Sequence, residues 1–223
     1  MLKHILFSTI TAISLLAGST SCPSHYLEGN APEIVNQKLT QKSKELCFEG
    51  FVVMHSGLTK TPLWSAEYLT REKIAAPLKR KDMFHPESRL SSSERAELSD
   101  YARSGYDRGH MTPSADMGTE SAQAESFSLA NMVPQDHNNN TGIWSAIEGS
   151  TRHLANKEGG VFVITGAMFK GDKLKAIGKN FGVGIIPKNE VYADQDNTSK
   201  SEFIWLRGGV ICFSFVALAR IRG

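Results

Sequence analysis

The stretch of this chain that most constrains its fold spans residues 141–166. Residues 141–156 have helical composition, and Gly159-Gly160 would end such a helix. The next run, 161–166, is apolar and rich in β-branched side chains, which is typical of a buried central strand. Together with the other predicted strands, this helix and strand predict an α+β fold: an antiparallel sheet with one helix near its edge.

Several other segments have strand or helix composition. Residues 47–55 and 63–70 could pair as antiparallel strands, and residues 119–126 suit a short helix. Residues 71–105 are polar and are predicted to form a long loop, while Asn140 is well suited to cap the helix that follows it. Later strands are predicted at 182–186, 202–206 and 210–219.

The length of 223 residues suits one domain with a sizeable core. Residues 1–21 combine a positive start, a short apolar run and small residues, which predicts a secretory signal peptide; a retained N-terminal anchor is the alternative. Residues 22–45 are predicted to form an N-terminal arm, and residues 46–223 the folded domain. The formal net charge is only +2, so a site for a polyanion must be a local cluster of Lys and Arg.

The three cysteines matter because an exported chain meets oxidising conditions. Cys47 and Cys212 could form a disulfide, but both lie in apolar runs where buried free thiols are equally consistent with the sequence. Cys22 lies at the end of the predicted signal peptide, so anchoring as a lipoprotein through Cys22 is an alternative. Ser19 stands where a lipidation motif usually has leucine, so that alternative is the weaker one. No Cys-x-x-Cys spacing is present, which argues against a structural zinc site.

Residues 106–113 read Tyr-Asp-Arg-Gly-His-Met-Thr-Pro, and His110 is the candidate base of this motif. An ordinary histidine pKa of about 6.5 suits a group that accepts a proton near neutral pH. Arg108 lies two residues away, so on an extended segment both side chains project to the same side. Gly109 between them lets the backbone approach a neighbour closely. A base beside positive charge is what hydrolysis of a phosphodiester requires.

Asn140, Trp144, Glu148 and Arg152 follow one another at four-residue steps, which on an α-helix places them along one ridge. The Asn140 oxygen would suit Mg²⁺, Mn²⁺ or Ca²⁺. A structural alternative accounts for the same residues. Asn140 would then cap the helix, Trp144 would pack, and Glu148 and Arg152 would form a surface ion pair.

Asp107-Arg108-Gly109-His110, followed by Asn131-Met132-Val133-Pro134-Gln135 and then by Asn140, Trp144 and Glu148, resembles the DNA/RNA non-specific endonucleases. These are ββα-metal (His-Me finger) nucleases, a group that includes mitochondrial endonuclease G. The resemblance covers roughly residues 47–187 and is strongest over 106–152. It implies an α+β fold with a central antiparallel sheet flanked by helices.

The resemblance also implies a role for each matched residue. His110 corresponds to the general base, Asn140 to the direct ligand of a single Mg²⁺, and Glu148 to the acidic residue that holds water of the metal shell. Asn131 corresponds to an asparagine beside the histidine and the substrate phosphate. Three arginines correspond to groups at the phosphate: Arg80, Arg108 and Arg152. Asp107 is expected to be structural.

We therefore expect an exported, Mg²⁺-dependent endonuclease that acts on DNA and RNA, with Mn²⁺ as a substitute metal. The alternatives are a non-catalytic nucleic-acid-binding module on the same scaffold and a toxin or effector nuclease with an immunity partner. No stable membrane partner is expected, whereas a homodimer and a protein inhibitor are left open.

Some nearby residues have a simpler interpretation. The cluster Lys79-Arg80-Lys81 is as consistent with a solvated face as with phosphate contact. His137 is expected to be a solvated loop residue, and His55 and His85 to be surface residues. Residues 208–223 depart from the family pattern, and either a buried last strand or an altered C-terminus would account for them.

Overall fold

The computed structural model describes residues 19–34, 37–75, 78–168, 174–178, 181–184, 202–204 and 213–220. The strands within them are β1 Ser43–Cys47, β2 Val52–Ser56, β3 Thr61–Thr70, β4 Asp107–His110, β5 Met132–Gln135, β6 Gly160–Met168, β7 Leu174–Ile177, β8 Phe181–Gly184, β9 Glu202–Ile204 and β10 Phe213–Arg220. Six of these strands form an antiparallel sheet in the order β1-β2-β3-β6-β10-β9, and two separate hairpins pair β4 with β5 and β7 with β8.

The helices of the described residues are short, with one exception. They are α1 Gln37–Thr40, α2 Arg71–Ala75, α3 Leu98–Tyr101, α4 Glu120–Ser126, α5 His137–Asn139 and α6 Ser145–Glu158. A π-helical turn, Asn140–Trp144, joins α5 to α6. We refer to residues 137–158 together as the site helix. No helix in this part of the chain is long and apolar enough to cross a membrane.

The architecture is α+β, as predicted, and β6 lies in the interior of the large sheet between β3 and β10. The predicted position of the helix near the sheet edge is wrong, because the site helix packs over the central strands β3 and β6. Its apolar side chains determine this. Trp144 and Ala155 are buried against Leu69, Val161 and Val163, which β3 and β6 present on that face.

The predicted strand at 47–55 is in fact a hairpin of β1 and β2. The chain reverses between Phe48 and Phe51, where the Phe48 N–H donates to the Phe51 carbonyl over 2.9 Å and the two rings stack. Glycine at position 50 lets Met117 pack against this turn, because an added Cβ there would lie 2.5 Å from the Met117 sulfur. The reversal buries both phenylalanines in one core cluster. Strand β1 therefore begins at Ser43, within the range predicted as the arm.

The predicted cap at Asn140 is also wrong, because the site helix begins earlier. The Asp136 carboxylate accepts the backbone N–H of Asn139 at 3.1 Å and caps α5, which leaves Asn140 inside the helix. The other end agrees with the sequence, since Gly159 ends α6 with φ of 87°, a conformation that glycine adopts without strain.

Cys47 forms a disulfide with Cys22, so neither predicted state of Cys47 is found. The bond fixes the N-terminal arm on the sheet, where Cys22, Tyr26 and Ala31 pack against β2 and β3. Cys212 lies outside the described residues, as does the predicted signal peptide apart from residues 19–21. The C-terminal apolar run contributes β10, which pairs with β6 from Phe213 to Arg220.

We expect the double variant C22A/C47A to lose about 3 kcal/mol of unfolding free energy, because the bond closes a loop with a sequence separation of 25 residues. Urea unfolding under oxidising conditions measures the difference. Wild type treated with reductant should match the variant. Equal stability of the variant and the oxidised wild type would show that the bond does not hold the arm.

Candidate active site

Strands β4 and β5 form a hairpin that carries the histidine motif, with His110 paired to Met132 and Asp107 to Gln135. The close approach of the two strands requires glycine at position 109, because an added Cβ would collide with the Gln135 side chain. The site helix follows β5 after one intervening residue. The order is therefore strand, strand, helix, and the motif residues lie where the three elements meet.

Asn131 holds the backbone immediately after His110. Its side-chain N–H groups donate to the carbonyls of Thr112 and Ser126, each over 2.9 Å, and its oxygen accepts the Thr112 N–H at 3.0 Å. The residue has no exposed surface. The structure therefore places Asn131 beside the histidine segment, as the resemblance implied, but with its amide committed to the backbone rather than turned toward a substrate.

His110 is buried between aromatic rings, with its ring centroid 5.1 Å from that of Phe127 and 5.8 Å from that of Phe84. Its exposed fraction is 8%, and Nε2 is buried without a hydrogen-bond partner among the described residues. Burial, followed by the charges of Arg80 and Arg108, lowers the His110 pKa to about 3. The imidazole is therefore neutral at physiological pH and free to accept a proton.

Arg80 and Arg108 are held beside His110 by the same two rings. The Arg108 guanidinium lies 4.0 Å from the Phe84 ring centroid, and that of Arg80 lies 5.2 Å from the Phe127 centroid. Arg80 also pairs with Asp82 at 2.6 Å. Both arginine side chains remain open to solvent. They therefore present positive charge next to the buried imidazole.

Asn140 is oriented by Asp107 at the opposite end of β4. Asn140 Nδ2 donates to Asp107 Oδ2 over 2.9 Å, and the same oxygen lies 2.9 Å from Nδ1 of His137. The amide nitrogen of Asn140 is thus turned toward β4, and its oxygen is the side-chain atom that could bind a metal ion. His137 is exposed, as expected, but it contacts the carboxylate that fixes the candidate ligand.

Glu148 lies on α6 in the first turn after Trp144. Burial and the nearby charge of Asp116 raise the Glu148 pKa to about 7, although Arg152 and Arg80 act in the opposite direction. The buried indole N–H of Trp144 lies near the Glu148 carboxyl group and stabilises its ionised form. It has no hydrogen-bond partner within the described residues. The charge of Arg80 lowers the pKa of both His110 and Glu148, so this arginine lies within electrostatic reach of the motif and of the site helix.

The Arg152 side chain, predicted to contact the substrate phosphate, is instead bound to a buried carboxylate. Its Nη1 donates to Asp116 Oδ1 over 2.7 Å, and the Asp116 carboxylate is almost completely buried. Asp116 ends a 3-10 turn, Ser114–Asp116, which follows the histidine motif. The helical ridge predicted from the sequence is therefore divided: Asn140 reaches β4, and Arg152 reaches the segment after it.

The donor set fits a hydrated divalent cation. Among the described residues, the grouping of three His, Cys, Asp or Glu side chains close enough to share a metal is Cys22, Glu45 and Cys47, whose two sulfurs form the disulfide. At the candidate site the protein offers the Asn140 oxygen, with the Glu148 carboxyl on the same helix. An ion with so few protein oxygens would keep most of its water, as Mg²⁺ readily does.

Sequence reasoning missed some contributors and misplaced one residue. Phe84 and Asp116 were not singled out, although aromatic and acidic residues close to a charged motif are a usable signal. His55, expected at the surface, is fully buried, and its Nε2 lies 2.8 Å from the Glu94 carbonyl. His55 lies on β2 in the buried core and is not part of the candidate site.

Comparison with known proteins agrees with this arrangement. The sequence model of the DNA/RNA non-specific endonuclease family matches residues 30–202. The chain is 34% identical over 146 residues to the mitochondrial nuclease EXOG of Danio rerio, which covers 65% of this chain and 43% of that protein. It is 36% identical over 125 residues to the mitochondrial nuclease of Saccharomyces cerevisiae, which covers 54% and 38%.

A solved structure has the same fold. The crystal structure of the EndoG/EndoGI complex, described as showing the mechanism of EndoG inhibition, matches with a TM-score of 0.58 and 28% identity over 63% of each chain. The hairpin β4–β5 and the site helix thus define a ββα-metal nuclease fold. The chain belongs to the DNA/RNA non-specific endonuclease family. It spans less than half the length of the two mitochondrial relatives.

Proposed function

We propose that this chain is a metal-dependent endonuclease that hydrolyses phosphodiester bonds in DNA and RNA. One observation carries the proposal: a single short strand, β4, ends in a buried imidazole flanked by two arginines, and at its other end supplies the carboxylate that binds the Asn140 amide of the site helix. Family membership supports the same reaction.

In this reaction His110 takes a proton from the attacking water. Nε2 is sealed from solvent, so Nδ1 is the ring nitrogen that can face that water. As the proton moves to His110, the water oxygen bonds to phosphorus and the bond from phosphorus to the departing sugar oxygen breaks. The departing sugar oxygen takes a proton from a solvent water, and His110 returns its proton to solvent, which completes hydrolysis.

Arg80 and Arg108 would bind the phosphate and also control the strength of the base. Without substrate, their charges help to keep the His110 pKa low. A bound phosphate offsets those charges, which raises the His110 pKa and makes the imidazole a better proton acceptor at the moment it is needed. Contacts to phosphate carry no base information, which is consistent with action on both nucleic acids.

Asn140 would hold the metal directly, and Glu148 would hold its hydration shell. A bound Mg²⁺, or Mn²⁺ in its place, would stabilise the charge that develops on the phosphate and on the departing oxygen. The Asn140 oxygen is free for this because Asp107 occupies the amide nitrogen.

The test is a cleavage assay on double-stranded DNA, single-stranded DNA and RNA, each with Mg²⁺ and with EDTA. We expect cleavage of all three substrates with Mg²⁺, loss with EDTA and recovery when Mg²⁺ is added back. Binding without cleavage, in Mg²⁺ and in Mn²⁺, would reject the enzyme and favour a nucleic-acid-binding module.

We also propose that the protein is exported and works outside the cytoplasm. The Cys22–Cys47 disulfide supports this, since such bonds persist in oxidising compartments. Mass spectrometry of protein secreted by the native host should find an N-terminus near Cys22. Intact residues 1–21 in a soluble cytoplasmic pool would contradict the proposal. The inhibition described for EndoG makes a protein inhibitor a candidate partner here, to be sought by co-purification.

Asp107 should set the affinity for the metal. In the variant D107A, the Asn140 amide loses the acceptor that orients it, and we expect the Mg²⁺ concentration for half-maximal cleavage to rise about 10–100-fold. H137A is the matched control, because it removes the other contact to the same carboxylate oxygen and leaves the Asn140 bond. An unchanged Mg²⁺ dependence in D107A would remove Asp107 from this role.

A further inference from the structure

Two buried carboxyl groups, those of Glu67 and Asp116, line a cavity to which strand β3 and the site helix both contribute. Glu67, in the middle of β3, has an exposed fraction of 2%, and Asp116 has 1%. The two carboxyl groups are close enough to share a hydrogen bond when one of them is protonated. They line a small cavity together with Trp144 and Glu148.

A hydrogen bond between two carboxyl groups requires a proton on one of them. Asp116 is the better carrier of the negative charge, because its Oδ1 accepts from the Arg152 guanidinium at 2.7 Å. Glu67 has no such ion pair, and its Oε2 is buried without a hydrogen-bond partner in the described part of the chain. The proton therefore belongs to Glu67. In agreement, burial and the adjacent Asp116 raise the Glu67 pKa well above its usual range, against the opposing charges of Lys73 and Arg152.

The position of this pair connects it to the active site. Asp116 lies in the segment that leaves β4 after His110, and Arg152 lies on α6. Their ion pair ties the base-bearing segment to the site helix, as the Asp107–Asn140 bond does at the start of that helix. An ionised Glu67 would place two negative charges against one arginine in a water-excluded space and would weaken this tie.

We propose that Glu67 is a positioning residue for catalysis: as a neutral acid it donates a hydrogen bond to Asp116, keeps a single negative charge opposite Arg152, and so holds the site helix against the segment that follows His110. The inference rests on the proposed nuclease function for its kinetic consequence. The protonation of Glu67 does not depend on that function.

The kinetic test compares two variants of Glu67. E67Q keeps the shape and a hydrogen-bond donor without a charge, so its kcat should stay within about twofold of wild type. E67L removes the donor, and a small displacement of base from metal should lower kcat about tenfold or more. KM for DNA should change little, because Arg80 and Arg108 bind elsewhere. Wild-type kcat in E67L, or equal losses in E67Q and E67L, would overturn the proposal.

Infrared spectroscopy provides a second test that needs neither activity nor a folded E67L. At about pH 9, where Glu148 with its pKa of about 7 is ionised, the wild-type protein should still show the carbonyl band of a buried, protonated carboxylic acid, and E67Q should lack it. E87Q is the matched control, since Glu87 is equally buried but is ionised by its contact with Arg89. A band that E67Q retains, or no band in wild type, would overturn the proposal. An inactive wild type that shows the band would instead reject the proposed function and leave Glu67 neutral.

Discussion

Replacing His110 with alanine should lower phosphodiester cleavage by about 10²–10⁴-fold, the usual contribution of a positioned general base. The His110 ring is the imidazole that packs against both Phe84 and Phe127, beside the two arginines of the candidate site. Single-turnover cleavage of plasmid DNA and of RNA at saturating Mg²⁺ measures the effect. Near wild-type rates in H110A, at a purity that excludes contaminating nuclease, would remove His110 as the base.

The matched control for H110A is H153A. His153 is exposed on α6, so the same substitution there changes no buried packing. Thermal unfolding of both variants separates catalysis from stability. We expect H110A to bind DNA with nearly wild-type affinity in EDTA, since Arg80 and Arg108 are held by Phe127 and Phe84 and not by the imidazole.

The pH dependence of wild type gives an independent view of the same residue. The profile of kcat/KM reports the free enzyme, in which the His110 pKa is about 3. Protonation of His110 would therefore abolish activity only in strongly acidic solution. A loss that begins near pH 7 would belong to Glu148, whose pKa of about 7 means that its carboxylate is lost as the pH falls. E148Q should remove that limb from the residual activity.

Much of the fold could be predicted from the sequence because its signals are local. Gly159 ends the site helix by its conformational freedom, and the apolar run after it forms an interior strand whose Val161 and Val163 are buried against that helix. The motif also indicated a close backbone approach at Gly109, although the neighbour that requires it, Gln135 on β5, is known only from the fold. The N-cap of the site helix was mispredicted because Asp136 and Asn140 are both residue types that suit an N-cap. In the structure the cap is Asp136.

The rest could not be predicted because it depends on contacts between distant segments. The pairing of Cys22 with Cys47 follows from the arm folding back onto β2 and β3, which no spacing reveals. The contact of Arg152 with Asp116 joins residues 36 positions apart. Four-residue spacing placed Arg152 correctly on a helix, but its partner is a buried carboxylate supplied by another element. A ridge on a helix therefore identifies candidate residues without identifying what each one contacts.

Replacing Asn140 with alanine should have an effect comparable to H110A, with a loss of more than about 100-fold at any Mg²⁺ concentration, because it removes the direct protein ligand rather than a residue that orients it. Cleavage rates measured across a wide range of Mg²⁺ test this. N139A is the matched control, since its backbone cap to Asp136 is kept. Full recovery of N140A by added Mg²⁺ would show that Asn140 only assists binding of the ion.

A charge-altering variant distinguishes ligand chemistry from ligand orientation. N140D offers a carboxylate, a stronger oxygen ligand, but it puts a second carboxylate where the amide now donates to Asp107 Oδ2 over 2.9 Å. We expect repulsion to turn the side chain away and activity to fall. The double variant D107N/N140D restores a donor and an acceptor in reversed order, so it should be more active than N140D alone. Strictly additive losses in this double-mutant cycle would mean that Asp107 does not act through Asn140.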